Sequence, residues 1–405
     1  MGKEHIVIIG AGMAGSKLAH ELVSLSSAPF NVTLIGEEAQ VGYNRIMLSS
    51  VLSKEMNEQD IALVDVSAMS QNGANIIASD PVVSVNTDDK RVFLASGTEL
   101  CYDRLVFATG ARSFLPDWAQ VGADNVVGFR DWNDVKALLA LPLGAKVAIV
   151  GGGLLGLEAA VGLAKNGHQP VVIQRSEYIM NRQLDRVSAQ YLQNNLESRG
   201  VAFLTDTSPV QILMDQAGLS ARSVVTDKGC IDVDMVVVAT GITPEVQLAR
   251  SAGVSVDRAI LVNEKMQTSI EGVYALGECS QFEQHTFGLV APIWDQLTVL
   301  VQTLLSEDAK FGIKPVPTKL KVSGIDLYSV GQINADPDQE ITLLDSELNH
   351  YRKLVVNGDR LVGAILYGNV ADGSWYAQLI QNQTNISEML ECLAFGEAYC
   401  QSVNA

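Results

Sequence analysis

The 405-residue chain carries 28 Lys and Arg against 46 Asp and Glu, a formal net charge of −18, with 47% hydrophobic and 18% charged residues. Such a chain can bury several cores and is not intrinsically disordered, and 34 Gly without a Gly-X-Y period exclude collagen. The acidity excludes general binding to nucleic acid or anionic membranes, which need a positive field, and the length predicts about two to three domains.

In chain order, residues 6–9 form an apolar run that reads as a strand. It is too short for a secretion signal, and Ile6 stands where myristoylation needs Ser or Thr. The run enters Gly10-Ala11-Gly12-Met13-Ala14-Gly15, a G-x-G-x-x-G turn, followed by a helical pattern over 16–24 and a strand over 32–35. In that context Gly10 permits the tight turn, Gly12 admits a pyrophosphate to the backbone, and Gly15 lets helix and strand pack closely. The N–H groups at the helix start, around Met13 and Ala14, then receive the phosphates. Glu37, 27 residues after Gly10, is placed to bind an adenosine ribose. Antiparallel-looking strands follow, then an apolar strand ending in Ala108-Thr109-Gly110.

The same plan recurs. Val147-Ala148-Ile149-Val150 leads into Gly151-Gly152-Gly153-Leu154-Leu155-Gly156, a helical pattern over 157–166 and a strand over 171–173. Residues 138–164 are apolar enough to suggest a membrane span, but Pro142, Lys146, the glycine triplet and Glu158 interrupt them. The second strand ends in Gln174-Arg175-Ser176, with no carboxylate for a ribose 2′-hydroxyl. Arg175 and Ser176 suit the 2′-phosphate of NADPH; alternatively, Arg175 stacks on adenine or faces solvent while NADH binds. Glu158, two residues past Gly156, either caps a helix start or lies near the reacting edges of bound cofactors. A second Ala-Thr-Gly strand closes at Gly241.

These repeats predict an α/β fold with two Rossmann-like dinucleotide-binding domains, the second inserted in the first. The first spans 1–112 and 245–313, and the insert spans 113–244. From 314 to 405 the pattern changes: strands over 319–322 and 361–367 and a helix over 375–383 predict a small α+β domain. The five cysteines, Cys101, Cys230, Cys279, Cys392 and Cys400, contain no C-x-x-C and no Cys/His cluster. Neither a metal site nor a disulfide framework is expected; reduced thiols in a soluble cytoplasmic protein are.

With these motifs the chain resembles the two-dinucleotide-domain flavoprotein reductases, the class of rubredoxin, ferredoxin and pyridine-nucleotide–disulfide reductases. The paired fingerprints, both Ala-Thr-Gly strands, and Val273-Tyr274-Ala275-Leu276-Gly277-Glu278-Cys279 carry the resemblance. It implies FAD in the first domain and NADH or NADPH in the second. It also implies that Glu278, beside Gly277, meets the ribityl chain and that Arg130 touches FAD. Val82 would offer an adenine-side backbone contact, and Val290-Ala291-Pro292 would precede a helix aimed at the flavin pyrimidine.

A narrower resemblance is carried by Tyr43-Asn44-Arg45-Ile46-Met47-Leu48-Ser49-Ser50-Val51-Leu52, Arg182-Gln183-Leu184-Asp185, Phe287-Gly288-Leu289-Val290-Ala291-Pro292 and Thr318-Lys319-Leu320-Lys321-Val322-Ser323-Gly324. These are similar to the FAD domain of NAD(P)H nitrite reductase large subunits and to electron-transfer subunits of assimilatory nitrate reductases. The resemblance has departures. No redox Cys pair follows the first domain's second strand. Ser50 stands where many ferredoxin reductases carry a flavin-side lysine, a place Arg45 is a candidate to fill. The Cys-rich iron–sulfur and sirohaem modules of a full nitrite reductase are not in these residues, so nitrite reduction by this chain alone is not expected.

The reading is therefore an FAD-dependent NAD(P)H oxidoreductase passing electrons to a redox protein, either a nitrate or nitrite reductase catalytic subunit or an iron–sulfur protein. Cofactors supply the chemistry, so no nucleophilic triad is needed, and the five histidines are scattered. An NAD(P)H–rubredoxin or ferredoxin reductase is the alternative within enzymes. A non-enzymatic FAD- and NAD(P)H-binding redox sensor is the alternative outside them, with the C-terminal domain as a partner or homodimer face. Lys314, Lys319, Lys321 and His285 are either a basic docking face for an acidic acceptor or a solvated loop; 6 Lys/Arg against 11 Asp/Glu from Lys314 onward give docking little help.

Overall fold

The computed structural model describes residues 3–26, 29–314, 324–334 and 338–401, and the backbone alone of 318–322 and 402–403. Strand Glu4–Ile9 lies at the centre of a five-stranded parallel sheet, between Phe30–Ile35 and Arg104–Phe107. Ala74–Ile77 and Val273–Ala275 form its edges. Ile6, Val7 and Ile8 are wholly buried in succession. Unbroken apolarity of this kind marks a strand covered on both faces. Helices Met13–Val23 and Val290–Leu304 pack together over this sheet.

The second sheet repeats the first. Lys146–Val150 runs parallel between Gln169–Ile173 and Met235–Val238, with Ala202–Leu204 and Val126–Val127 outside. Each unit also carries a three-stranded antiparallel sheet between its second and last sequence motifs. One is Val82–Asn86, Arg91–Leu94 and Glu99–Cys101; the other is Pro209–Met214, Ala221–Thr226 and Gly229–Asp232. Between the two units the chain passes out through Ala111–Ser113 and back through Ile242–Pro244, which pair as a two-stranded antiparallel ribbon.

Two expected boundaries move. The fingerprint helices are Met13–Val23 and Leu154–Lys165, each beginning three residues before the sequence pattern suggests. Gly12 and Gly153 take extended N-cap geometry, so the third glycine of each fingerprint falls inside the first helical turn. The apolar stretch 138–164 is divided among the end of helix Trp132–Leu139, the central strand and the fingerprint helix. No helix among the described residues is long and apolar enough to cross a membrane.

The C-terminal sheet runs Thr318–Val322, Ile325–Gly331, Arg360–Tyr367, His350–Asn357, Gln339–Asp345, antiparallel throughout. Its helix is Gly373–Gln381, starting two residues before the predicted span. A Cβ at Gly373 would fall 2.7 Å from the ring of Tyr328, so glycine lets this helix lie flat on the sheet. The opposite face packs on the second nucleotide unit, where Ile325, Leu327 and Ile365 share a core with Leu163 and Leu196. There the Tyr351 hydroxyl donates to Asp185 Oδ2 at 2.6 Å.

Candidate functional site

A cleft of about 590 Å³ opens above the C-terminal ends of the first sheet's central strands. That is the expected position for a ligand in an open α/β sheet. Its floor is the first fingerprint. Gly10 has φ of +111°, and a Cβ there would lie 2.2 Å from the Ala108 carbonyl oxygen. Gly151 repeats this, with φ of +116° and the Ala239 oxygen 2.4 Å from its Cβ position. The recurring Ala-Thr-Gly strands thus press a carbonyl against the first glycine of each fingerprint, which accounts for both motifs recurring together. Thr109 hydroxyl donates to the Glu245 carbonyl at 2.6 Å, fastening this strand to the returning chain.

Both fingerprint helices begin on a glycine with no side-chain cap and no acidic residue in the first turn. The 15-residue helix Val290–Leu304, whose N-cap is Leu289, has neither as well. Val290, Ala291 and Pro292 are the first three residues of that helix and do not precede it; proline is tolerated there because its missing N–H has no helical partner anyway. Met13, Ala14, Leu289 and Val290 line the cleft, so uncapped helix ends face it from two sides. Free N–H groups and the helix dipole make these ends suited to anionic or electron-rich groups.

Two ion pairs frame the cavity. Arg130 pairs with Glu278, and Arg130 Nε donates to the Ala111 carbonyl at 2.5 Å. Both guanidinium and carboxylate approach Gly110. Arg45 pairs with Glu38, and its Nη1 donates to the Arg130 carbonyl at 3.2 Å. Tyr43 supports that pair from behind. Its hydroxyl donates to Glu38 Oε2 at 2.6 Å, and its ring lies 5.1 Å beneath the Arg45 guanidinium. Burial pushes the Tyr43 phenol well above its ordinary value, so it remains a donor to Glu38. Glu37 is exposed at the cleft edge, and Val82 lines the same end.

The second unit reaches into this cleft through Leu155 and Glu158. Glu158 is the fifth residue of its helix, which rules out the capping role. Burial pushes its carboxyl up to about 7, opposed by a hydrogen bond from Ser49. Ser49, not Ser50, therefore meets this acid, and Arg45 is engaged by Glu38.

The remaining second-unit candidates, Gly151, Gly153, Leu154, Gly156, Gln174, Arg175 and Gly241, do not line the cleft. Gly153 has open space where a Cβ would sit, whereas Gly156 is closed by the Gly151 oxygen at 2.0 Å, as Gly15 is by the Gly10 oxygen at 1.9 Å. The Gln174 side chain is buried and accepts from the Gly152 N–H at 2.9 Å, so it braces the fingerprint turn. Arg175 is exposed and has no ion-pair partner among the described residues.

Two parallel-sheet units, each with a glycine fingerprint closed by an Ala-Thr-Gly strand, decide the family. The pyridine nucleotide-disulphide oxidoreductase model matches residues 4–296, and the rubredoxin NAD+ reductase C-terminal domain model matches 315–384. The chain belongs to the pyridine nucleotide-disulphide oxidoreductase family. It is an oxidoreductase of the pyridine-nucleotide class.

Similar proteins include the nitrite reductase [NAD(P)H] of Bacillus subtilis (strain 168), 36% identical over 391 residues, covering 96% of this chain and 48% of the relative. The assimilatory nitrate reductase electron transfer subunit of the same organism is 35% identical over 390 residues, covering 96% and 50%. The chain thus spans about half the length of these relatives. Among solved structures, NADH:rubredoxin oxidoreductase from Clostridium acetobutylicum is 26% identical with a TM-score of 0.80, covering 97% of this chain and 99% of that one.

No cysteine lines the cleft, so the dithiol in the family's name has no counterpart there. No cluster able to hold a metal ion occurs among the described residues. Sequence reading missed Glu38, Tyr43 and Ser49. Tyr43 and Ser49 stood within the motif around Arg45, but their partners are set by folding.

Proposed function

We propose that the cleft holds FAD and that NAD(P)H, bound on the second fingerprint, meets it at Leu155 and Glu158. One observation carries this reading: a single cavity joins the first fingerprint, the Arg130–Glu278 arm and the second unit's helix. The residues fit the cofactor, with uncapped helix ends for its phosphates, Glu37 free for a ribose, and Glu278 beside the Gly110 backbone. Bound FAD supplies the conversion between two-electron exchange with a pyridine nucleotide and one-electron exchange with a protein. Around it, Gly12, Met13 and Ala14 bind phosphate, Arg45 neutralises it, Val82 faces the adenine end, and Val290 presents its helix end. Ala108, Thr109 and Gly110 shape the floor with Gly10 and Gly277. Glu158 holds or releases a proton near neutral pH, with Ser49 fixing its carboxyl.

On the second fingerprint, Gly151, Gly153, Leu154 and Gly156 form the pyrophosphate turn, Gln174 keeps that turn in shape, and Gly241 closes the neighbouring strand. Exposed, unpaired Arg175 receives the 2′-phosphate, so NADPH is accepted. We infer three domains: 1–112 with 245–313 for FAD, 113–244 for NAD(P)H, and 314–405 for contact with other proteins. The ribbon of Ala111–Ser113 with Ile242–Pro244 supports the first two divisions.

The electron acceptor is proposed to be the catalytic component of an assimilatory nitrate or nitrite reductase, supported by the similarity over 96% of the chain. A rubredoxin-type acceptor is the second reading, favoured by the match of 315–384. A basic docking face for it gains little: Lys314 is held by Asp295 at 3.0 Å, His285 is exposed, and the Lys319 and Lys321 side chains lie outside the described residues. Steady-state NAD(P)H oxidation with ferricyanide, then with each protein acceptor, tests the assignment. Turnover with ferricyanide but with neither protein would remove both acceptors.

A further inference from the structure

The C-terminal unit carries a feature that electron transfer through the cleft does not use. Cys392 Sγ and Cys400 Sγ lie 3.3 Å apart as free thiols. Cys392 immediately precedes the 3₁₀ turn Leu393–Phe395, and Cys400 sits in helix Glu397–Val403. Their pairing is held from outside by a buried polar network. Arg352 donates to the Ala394 carbonyl and to Tyr376 Oη, both at 2.8 Å, and pairs with Asp372 at 2.8 Å. Tyr376 in turn donates to the Leu393 carbonyl at 2.6 Å, and Asp372 accepts from the Glu397 N–H at 3.2 Å. The segment from 393 to 397 is therefore pinned on both sides of Gly396, whose φ of +100° makes the reversal that returns Cys400 to Cys392.

We propose that Cys392 and Cys400 form a redox-active dithiol that closes to an intramolecular disulfide by exchange with a small soluble disulfide. The two sulfurs are within the shift that bond formation from a van der Waals contact requires, since an S–S bond is about 2.05 Å long. In the exchange, the Cys392 thiolate, from the more accessible of the two residues, attacks one sulfur of the soluble disulfide and expels one thiol. Cys400 then loses its proton to solvent, attacks the Cys392 sulfur of the mixed disulfide and expels the second thiol. Two protein thiols are oxidised and one soluble disulfide is reduced to two thiols, so atoms and electrons balance. Burial, then the Cys392 thiol beside it, pushes the Cys400 thiol up to about 12, so Cys400 does not begin the exchange. Its 3.3 Å approach to Cys392 Sγ is what lets it resolve the mixed disulfide once Cys392 carries it. Closure would fasten helix Glu397–Val403 to the turn before it. Among the described residues none lining the cleft comes from beyond Trp294, so this chemistry lies outside that cleft.

The test uses the full-length, FAD-loaded protein equilibrated in buffers of reduced and oxidised glutathione. Under oxidising conditions two of the five thiols should become unreactive in denaturant, and the intact mass should fall by two hydrogens. Peptide mapping should join Cys392 to Cys400. Cys400→Ser should instead trap one glutathione on Cys392. Cys392→Ser should lose both the two-hydrogen change and the fast-forming adduct. Five reactive thiols at every ratio, a disulfide involving Cys101 or Cys230, or glutathione stably retained on the wild-type pair would each overturn the proposal. Far-ultraviolet circular dichroism and the thermal unfolding midpoint of each reduced variant, unchanged from wild type, establish that the substitutions leave the C-terminal unit folded.

Discussion

The Glu158 carboxyl provides a quantitative test of the cleft. Its value rises from 4.5 to about 7 because burial disfavours the anion, and Ser49 offsets only part of that. Between those values the folded protein keeps a proton that the unfolded chain has released, so stability falls as pH rises through that window and stays lower above it. At about 1.4 kcal/mol per pH unit, the ionised side chain destabilises the fold by about 3 kcal/mol at alkaline pH. Glu158→Gln removes this dependence. The variant's stability relative to wild type, measured by urea unfolding of the apoprotein, should therefore improve by about 2.5 kcal/mol between about pH 5 and pH 8. The same group should place a transition near neutral pH in the rate of flavin reduction, absent from the glutamine variant. Ser49→Ala should move that transition to higher pH, since it removes the one contact favouring the anion. A variant-minus-wild-type difference that is flat across this range would refute the burial argument.

The two fingerprints should fail separately. Gly10→Ala places a methyl 2.2 Å from the Ala108 oxygen at φ of +111°, costing ~3 kcal/mol or more, and should yield protein without FAD. Gly151→Ala, with the Ala239 oxygen at 2.4 Å, should retain FAD yet lose NAD(P)H-driven reduction; equal FAD loss in both would contradict the division of labour. Arg45→Ala removes the cation proposed to neutralise the phosphate and should raise the FAD dissociation constant roughly tenfold, about 1.4 kcal/mol, measured by flavin fluorescence on reconstitution. Arg175→Ala should raise KM for NADPH roughly tenfold and leave KM for NADH near wild type; a strong NADH preference in the unmodified protein would refute the phosphate contact.

Much of the fold was legible because its strongest constraints are local. A glycine that must lie under a carbonyl, an apolar run that must be covered on both faces, and their recurrence in the same order can all be read from spacing. The Leu155 and Glu158 approach to the first unit was partly legible, as their motif identified the helix but not the cavity it enters. Glu38 was not. It adjoins Glu37 in sequence, yet one carboxylate is exposed at the cleft edge and the other grips Arg45, a difference set by Tyr43 packing from a loop. Gln174 shows the converse: its place at the strand end made it a cofactor-binding candidate, while its carboxamide turns inward to the Gly152 N–H. The cysteine pair was also hidden, because a spacing of eight residues becomes a contact only through the reversal at Gly396.

The central claim is that one cleft passes reducing equivalents from NAD(P)H through FAD to a protein. Anaerobic stopped-flow mixing of the FAD-loaded protein with NADPH or NADH, followed by a nitrate reductase catalytic subunit, tests it most directly. The flavin band should bleach with one equivalent of pyridine nucleotide and return on addition of the acceptor. A flavin that shows only charge-transfer absorbance, or that bleaches and is reoxidised by no protein acceptor, would contradict the claim.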